Sequence, residues 1–311
     1  MPRRIVEVVT ILISLSLSGC DPSLLTRFFS RAVESDADPT QHVQNKISDP
    51  VLPDIGLSIL WIGHASVLIQ IHDKVFLTDP VFTRTVGLVS KRIVESGIDA
   101  ASLPRVDFVL ISHTHFDHLS FGSLSMLPRK GRLLIPYGGA AYTPEFGFQE
   151  TREMKPWEAL EADGVRITAV PSQHFSGRYG FDIPWNVGKG YTGYIIQYNG
   201  KTVYFAGDTG YRDSLFTQIG QRFAIDVALL PIAPLEPREF MRRVHMDPRG
   251  AIQAFRELRA KLMIPIHHRT FALGLEPRVT VAQDELETIV NQEQLKDKVC
   301  VLRIGEQKIV E

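Results

Sequence analysis

The stretch SHTHFDHL, residues 112–119, places three histidines and one aspartate within six residues. It continues the apolar run VDFVLI, which is typical of a buried strand. His113 and His115 are two residues apart at the end of that strand and can direct ring nitrogens at one metal ion. Asp117 and His118 follow where the chain turns, and they can serve a second ion a few ångströms away. The stretch therefore predicts half of the ligands of a paired-metal site.

The missing ligands are expected at the ends of other strand-like runs. His174 follows AVPSQ, Asp208 lies in FAGDTGY, and His267 closes MIPIH. Each of these alone has an ordinary alternative as a cap or a satisfied buried polar group. Together they would place three histidines around one ion and two histidines with a carboxylate around the other, bridged by Asp208. Zinc is the first expectation, and iron or manganese would accept the same ligands.

Composition sets the size of the core and limits the partners. The 311 residues, 44% of them hydrophobic, can bury one large core or two small ones. The 34 basic and 35 acidic residues nearly cancel, and no long basic run is present. A nucleic-acid partner is therefore disfavoured. The sequence does not set the oligomeric state.

The first 20 residues predict a lipoprotein-type signal peptide. Arg3 and Arg4 precede a short, mostly apolar run that ends in small residues. The run closes with LSGC, which resembles the bacterial lipobox and would leave Cys20 lipidated. The alternative is a buried first helix with an incidental cysteine. In a Gram-negative host Asp21 resembles an inner-membrane retention signal, so we expect an exported lipoprotein anchored at the periplasmic face of the inner membrane.

The chain contains two cysteines, Cys20 and Cys300. Once Cys20 is lipidated no disulfide can form within the chain, even in an oxidising compartment. Packing, together with metal, must then supply the stability.

The rest of the chain divides into a tether, residues 21–50, and a catalytic domain, residues 51–311. The tether contains apolar residues at helical spacing, and this short helix is expected to dock on the domain or to lie on a membrane surface. These apolar residues are Leu25, Phe28, Phe29, Ala32 and Val33.

The domain begins with the strand-like runs LSILWIG, SVLIQI and KVFLTDP, which suggest a β-meander. Further strands are predicted at VDFVLIS, RLLIPY, RITAVPS, YTGYIIQY and KTVYFAG. Helical periodicity marks DPRGAIQAFRELRAK and VAQDELETIVNQEQ. This mixture indicates a layered α/β body with helices covering sheet.

These motifs carry a family resemblance. HTHFDH, SQH, GDTGY and IPIH resemble the metallo-β-lactamase-fold hydrolases from about Leu57 to the C-terminus. The resemblance implies an α/β fold, an αββα sandwich with a dinuclear metal site at one edge. More locally, WIGHASVLIQI, LTDPVF, VHMDP and IPIHHRTFALGLEP resemble N-acylphosphatidylethanolamine-hydrolysing phospholipase D and its bacterial relatives.

The resemblance also implies roles for single residues. It divides the ligands into one zinc held by three histidines, a second held by one aspartate and two histidines, and a bridging Asp208. These two sets are His113, His115 and His174, and Asp117, His118 and His267. Asp79 and His245 match positions needed for activity and join Asp117 as catalytic candidates. His64 in GHAS matches a motif shared with ascorbate-lactonase relatives and is expected, with His245, to bind substrate.

One position departs from the phospholipase pattern. His268 stands where these phospholipases usually have tryptophan after the ligand histidine. Because the change lies next to the site, it concerns substrate preference rather than metal binding.

The expected activity is a zinc-dependent phosphodiesterase that releases phosphatidic acid and an N-acylethanolamine. A water shared by two divalent ions loses its proton near neutral pH and attacks phosphorus. Asp79 is expected to fix a ligand histidine, or else is an ordinary turn residue before Pro80. His245 is expected to bind phosphate or to protonate the leaving group, or else caps the helix that begins near Asp247 or packs beside it.

A phospholipid substrate and a membrane surface are the expected partners. The segment FTRTVGLVSKR, residues 82–92, mixes apolar and basic groups as an interfacial loop would, and its alternative is a plain surface loop. Trp157 and Trp185 lie on other loops and are candidates for an acyl-binding wall.

Other activities remain as alternatives. One is a lactonase or small-ester hydrolase of the same fold. Another is a non-catalytic, membrane-anchored metal-binding protein, which is disfavoured because structural zinc sites are usually closed and rich in cysteine. A ribonuclease is disfavoured by the signal peptide and the balanced charge. A true β-lactamase is disfavoured by GHAS and FALGLEP.

Overall fold

A computed structural model of the protein describes residues 26–27, 30–31, 39–87, 90–127, 130–179 and 182–311. The predicted signal peptide, Cys20 and the apolar residues of the predicted tether helix lie outside these residues. Within them, no helix combines the length and the apolar character needed to cross a bilayer.

The strands alternate with short helices along the chain. The strands are β1 (Leu57–Gly63), β2 (Ser66–Ile71), β3 (Lys74–Thr78), β4 (Thr85–Val86), β5 (Ser90–Lys91), β6 (Val106–Leu110), β7 (Lys130–Pro136), β8 (Glu150–Met154), β9 (Ala159–Ala162), β10 (Val165–Val170), β11 (Gly193–Tyr198), β12 (Lys201–Phe205), β13 (Val227–Pro231), β14 (Leu262–Ile266) and β15 (Gln307–Ile309). The α-helices are α1 (Phe121–Met126), α2 (Asp213–Arg222), α3 (Arg238–Met241), α4 (Pro248–Leu258) and α5 (Val281–Gln292). Short 3₁₀ helices span Ala100–Ser102, Ala140–Tyr142 and Ile183–Asn186.

The first sheet has the strand order β15-β1-β2-β3-β6-β7-β8. Successive side chains of a strand point to opposite faces, so both faces of β1 can be buried. Leu57, Ile59 and Trp61 enter the central core, whereas Leu60 and Ile62 join a second core on the outer face. The outer core is completed by α1 and by irregular segments.

The second sheet has the order β14-β13-β12-β11-β10-β9 and packs on the first through the central core. Its outer face is covered by α2, α4 and α5. Asp247 begins α4 by accepting a hydrogen bond from the Gly250 amide at 2.7 Å, and Pro248 occupies the first turn. The αββα sandwich predicted from the sequence is confirmed.

Strand direction brings functional residues to one edge. β2 is antiparallel to β1 and to β3, and β6 is parallel to β3, so β1, β3 and β6 run the same way. By the same argument β10, β12, β13 and β14 share one direction in the second sheet. The two edges meet where Thr192 donates a hydrogen bond to the Ser112 carbonyl at 2.8 Å. The carboxyl ends of these strands therefore surround one region.

The second half of the predicted tether belongs to the folded body. The Gln41 amide donates to the Ile93 carbonyl at 2.7 Å, and the Glu95 amide returns a hydrogen bond to the Gln41 carbonyl at 2.9 Å. Lys46 pairs with Glu95 at 3.2 Å and with Asp99 at 2.8 Å. The packed chain thus starts before the boundary at residue 51 that the sequence suggested.

The predicted interfacial segment 82–92 contains the hairpin β4–β5, with residues 88–89 outside the described part. Arg92 is only 3% exposed. Its guanidinium donates to the carbonyls of Val81 and Val94 and lies 5.2 Å from the Phe271 ring. This arginine fixes the hairpin and does not supply a surface charge.

Candidate metal centre

The structure brings all seven predicted ligands together at the shared edge of the two sheets. Each ligand segment follows the carboxyl end of a strand: residues 113–118 follow β6, His174 follows β10, Asp208 follows β12, and His267 follows β14. His64 follows β1 and Asp79 follows β3, so these two candidates reach the same region.

One half of the centre, the three-histidine half, consists of His113, His115 and His174. His115 Nδ1 lies 2.8 Å from His113 Nε2 and 3.4 Å from His174 Nε2. The opposite nitrogens of two rings are held from outside, His113 Nδ1 by the Ser112 hydroxyl at 3.0 Å and His174 Nδ1 by the Val244 carbonyl at 2.9 Å. The free nitrogens therefore converge on one point.

These three imidazoles are held in the neutral form. Burial is the main cause, and it lowers the pKa of His113 well below its usual value, that of His115 to about 4 and that of His174 to about 3. A neutral imidazole is the form that binds a cation. The half is thus ready to accept a metal ion near neutral pH.

The other half, the carboxylate half, contains Asp117, His118 and His267 beside Asp208. Asp117 Oδ2 lies 3.4 Å from His118 Nε2 and 3.7 Å from His267 Nε2. Asp208 Oδ2 lies 3.3 Å and 3.1 Å from the same two nitrogens, and 3.9 Å from His113 Nε2. Asp208 is therefore the one carboxylate of the seven predicted ligands that lies close to nitrogens of both halves.

Glycine brings Asp208 into place. Gly207 has φ +60°, a conformation that glycine adopts without strain. A Cβ at this position would lie 2.3 Å from the Ser112 Cβ. The close approach of the Asp208 segment to the end of β6 thus requires glycine.

Two further residues support the carboxylate half from outside. His118 Nδ1 donates to Asp79 Oδ2 at 2.6 Å, and Asp79 also accepts hydrogen bonds from the amide and hydroxyl of Ser112 at 2.6 and 2.5 Å. His64 Nε2 lies 3.0 Å from Asp117 Oδ2. Asp79 thereby fixes the ring of His118, and His64 fixes the carboxylate of Asp117.

Charge distinguishes this half from the first. Burial opposes protonation of His118 and His267, but the nearby carboxylates, Asp208 first among them, outweigh it. The pKa of His118 is raised well above its usual value and that of His267 to about 9. The same carboxylates would attract a divalent cation, which displaces protons from its ligands.

The residues fit a metal cation. Buried ligand atoms without a hydrogen-bond partner include His118 Nε2, His267 Nε2 and Asp208 Oδ1. Buried polar atoms normally have partners, so a set of buried ligand atoms without partners that face one region is what a metal site requires. Imidazole nitrogens with carboxylate oxygens are a donor set that suits zinc and also iron.

His245 lies beside both halves without belonging to either set. Its Nδ1 is 3.6 Å from Asp208 Oδ2 and has no hydrogen-bond partner, and its ring centroid is 5.1 Å from that of His174. The alternative that His245 caps α4 is wrong, because the cap is Asp247. Burial lowers the pKa of His245 to about 3.

The structure places His64 against the ligand Asp117. Its side chain is buried, and its Nε2 is engaged by Asp117. The Thr270 hydroxyl accepts a hydrogen bond from the His64 amide at 2.6 Å, and the His267 amide donates to the His64 carbonyl at 2.9 Å. His64 thus joins the segments of two ligands, and its Nε2 lies beside the same Asp117 oxygen as those of His118 and His267. Its predicted contact with substrate stays a prediction.

Two neighbours of the ligands, Ser112 and His268, have contacts that the sequence did not predict. Ser112 contacts both His113 and Asp79, and its position directly before HTHFDH was the available signal. His268, the departure from the phospholipase pattern, is buried and stacks on Trp61 with 4.5 Å between ring centroids. It lies beside the ligand His267 without joining the ligand set.

The fold and this centre together define a metal-dependent hydrolase. The chain belongs to the metallo-β-lactamase superfamily, since the family described as "Beta-lactamase superfamily domain" matches residues 74–268. The alternative of a non-catalytic metal-binding protein is therefore set aside.

Proteins with similar sequences have names that specify an activity to different degrees. The chain is 28% identical to N-acyl-phosphatidylethanolamine-hydrolyzing phospholipase D 1 of Caenorhabditis elegans, over 84% of this chain and 77% of that protein. It is 29% identical to the UPF0173 metal-dependent hydrolase MK1542 of Methanopyrus kandleri, over 80% and 98%. It is 31% identical to an uncharacterized protein of Mycobacterium tuberculosis over 71% of this chain, but spans only 61% of that protein's length.

A solved structure shares the fold. The isothiocyanate hydrolase from Delia radicum gut bacteria superposes with a TM-score of 0.65 at 20% identity, covering 81% of this chain and 98% of that one. At this identity the likeness concerns the fold alone.

Proposed function

We propose that the protein is a zinc-dependent phosphodiesterase that hydrolyses N-acylphosphatidylethanolamine-like glycerophospholipids to phosphatidic acid and an N-acylethanolamine. The observation that carries this proposal is an apolar rim beside the metal centre, formed by Phe116, Phe175, Tyr179 and Phe240. The name of the worm relative supports it independently.

The rim starts at the ligands themselves. The Phe175 ring lies 4.8 Å from the ring of His115 and 4.9 Å from that of His174, and 6.2 Å further out is Phe240, which is 45% exposed. On the ligand loop, Phe116 lies 6.1 Å from Tyr179, which is 47% exposed. Exposed aromatic side chains beside a polar centre favour a substrate with both apolar chains and a charged group.

The apolar surface extends beyond the rim. Trp185 is 67% exposed and Val187 is 82% exposed, in and just after a 3₁₀ helix on the segment that follows His174. Aromatic residues with apolar neighbours are common where proteins meet the bilayer surface. We propose that this face contacts the membrane, with the lipid anchor at Cys20 and export to the periplasmic face as parts of the same proposal.

The chain's own residues would divide the work. Two divalent ions, when bound, supply a nucleophile from water at neutral pH and neutralise charge on the phosphate oxygens. His113, His115 and His174 would hold one ion; Asp117, His118 and His267 would hold the other, and Asp208 would serve both. Asp79 keeps the His118 ring oriented, and His64 does the same for the Asp117 carboxylate.

His245 is the candidate for contact with the phosphodiester. Its Nδ1 lies next to the ligands without a partner, within reach of a group bound between the two halves. We propose that its ring, kept neutral by burial, donates a hydrogen bond to a phosphate oxygen.

A lactonase or small-ester hydrolase is the second candidate. It is kept because the archaeal relative, almost the whole of which this chain covers, is described only as a metal-dependent hydrolase. Its substrates would not need the apolar rim.

The test is a metal measurement combined with lipid turnover. The chain without residues 1–20 would be purified, its metals quantified, and conversion of N-acylphosphatidylethanolamine to phosphatidic acid followed by mass spectrometry. Phosphatidic acid release that Asp208→Asn abolishes supports the proposal. Bound metal with turnover of lactones or simple esters, and none of the lipid, overturns it in favour of the second candidate.

A further inference from the structure

Arg178 is a buried cation in the loop that follows the ligand His174. It is 6% exposed, and none of the ion pairs among the described residues involves its guanidinium; burial lowers its pKa, and the more distant carboxylates of Asp182 and Asp117 act in the opposite direction. A buried charge without an ion-pair partner is costly unless hydrogen bonds and aromatic faces replace its water. Its neighbours must therefore supply that compensation.

Most of the groups that contact the guanidinium belong to the segment that carries the metal ligands, and the side chain of Tyr179 is a further partner. Nη1 donates to the Thr114 carbonyl at 3.1 Å and to the Leu119 carbonyl at 2.8 Å. The guanidinium also lies 4.4 Å from the Phe116 ring and 4.0 Å from the Phe121 ring. One side chain thus engages the ligand loop at both ends and in its middle.

The positions of the two carbonyls matter for the centre. Thr114 lies between His113 and His115 of the three-histidine half, and Leu119 follows His118 of the carboxylate half directly. A buried carbonyl needs a hydrogen-bond donor. The carbonyls of Thr114 and Leu119 have this donor in the loop conformation that directs both of them at the Arg178 guanidinium. The guanidinium thereby couples the two halves of the loop.

Arg178 is itself held in place from the other side. Its backbone amide donates to Asp182 Oδ2 at 2.8 Å, and the Tyr179 amide donates to Asp182 Oδ1 at 2.9 Å. Nearby, the hydroxyls of Thr114 and Ser176 are 2.6 Å apart. The loop after His174 therefore presents the arginine from a fixed turn.

We propose that Arg178 is a positioning residue that pre-arranges the metal-binding loop and sets His174 against it. The inference rests on the metal centre and not on the lipid substrate, so it stands or falls separately from the proposed phosphodiesterase activity.

The test compares zinc affinity in matched arginine variants. Arg178→Met keeps an apolar side chain between the two rings but cannot donate, and Arg178→Lys restores a cationic donor. Arg92→Met is the control, because Arg92 is equally buried, donates to two backbone carbonyls and lies on an aromatic ring without touching the ligand loop. Zinc binding to the metal-free proteins would be measured by competition with a chromophoric chelator.

We expect Arg178→Met to weaken zinc binding by roughly 10- to 100-fold, the scale of groups that orient metal ligands. Arg178→Lys should fall between this variant and the wild type, and Arg92→Met should lower the melting temperature while keeping wild-type zinc affinity. A folded Arg178→Met protein with wild-type affinity would show that the residue is merely structural. Should that variant not fold, Arg178→Leu decides, since leucine also cannot donate: weakened binding supports the proposal, and wild-type affinity overturns it.

Discussion

The two halves of the metal centre are built from different kinds of contact. In the three-histidine half the rings are held by neutral groups, the Ser112 hydroxyl and the Val244 carbonyl. In the carboxylate half the ligands are held by ionisable groups, Asp79 and His64. The first half therefore depends on packing and neutral hydrogen bonds, and the second on a balance of buried charge. Removing single groups should affect the halves unequally.

The largest effect is expected at Asp208, because this residue lies close to ligands of both halves and cannot be assigned to one of them. Asp208→Asn keeps the shape but removes the charge that both ions would share. We expect turnover to fall by about 10³-fold or more, as when a group essential to the chemistry is removed, together with loss of at least one metal ion. Product release followed by mass spectrometry and metal content measured on the same sample would check both.

Asp226→Asn is the control for this variant. Asp226 is also a buried aspartate, but it accepts hydrogen bonds from the Thr202 amide and from Lys261, away from the ligands. It should keep metal and turnover. An Asp208→Asn protein that retained both ions and full activity would remove the basis for a shared carboxylate.

The next effect separates the halves directly. Metal-free His267→Ala leaves the Asp208 and Asp117 carboxylates without one of their cationic neighbours, and breaking a buried pair in this way costs about 3 to 5 kcal/mol. His174→Ala removes a neutral ring from the other half and should cost less in the metal-free protein. Denaturant unfolding of both variants measures the difference. Equal losses would mean that the charge asymmetry has no energetic weight.

The sequence predicted the parts of the fold whose pattern is local. β1 and β2 have the bounds of LSILWIG and SVLIQI, because a short, largely apolar run marks a buried strand without reference to its neighbours. β8 was not predicted, since ETREM is polar and becomes a strand by pairing in parallel with β7. The short β9, ALEA, likewise depends on pairing with β10.

The candidate site divides in the same way. The spacing of HTHFDH indicated four ligands, and the ends of strand-like runs indicated three more. Both patterns can be recognised from residues that are neighbours in the sequence. Arg178 gave no such signal, since its contacts with Thr114 and Leu119 join residues 64 and 59 positions apart. The contact of His64 with Asp117 gave no signal for a similar reason, since the two residues are 53 positions apart.

A smaller effect is expected from the outer support of the carboxylate half. Asp79→Asn leaves an oxygen for the His118 ring but removes the charge that makes this a strong hydrogen bond. We expect metal affinity in this half to fall by roughly 10- to 100-fold, with the three-histidine half unchanged. Cobalt substitution followed by absorption titration distinguishes the two ions. Equal weakening of both would contradict the separation of the halves.

The smallest expected effect comes from Ser112, the neutral support of the three-histidine half. Ser112→Ala removes the hydroxyl that contacts His113 Nδ1 and that donates to Asp79. A neutral hydrogen bond contributes about 1 kcal/mol, so metal affinity in the three-histidine half should fall by roughly five- to tenfold. Ser123→Ala is the control: the Ser123 hydroxyl is buried and accepts from the Phe82 amide, and its loss should leave metal affinity unchanged.

The Ser112 hydroxyl also contacts Asp79, the residue that holds His118, so the titration decides between two arrangements. A loss confined to the three-histidine half means that Asp79 holds His118 without help from Ser112. A loss of equal size in the carboxylate half means that the Ser112 hydroxyl supports both halves. The two halves would then differ in their ligands and not in the groups that hold those ligands.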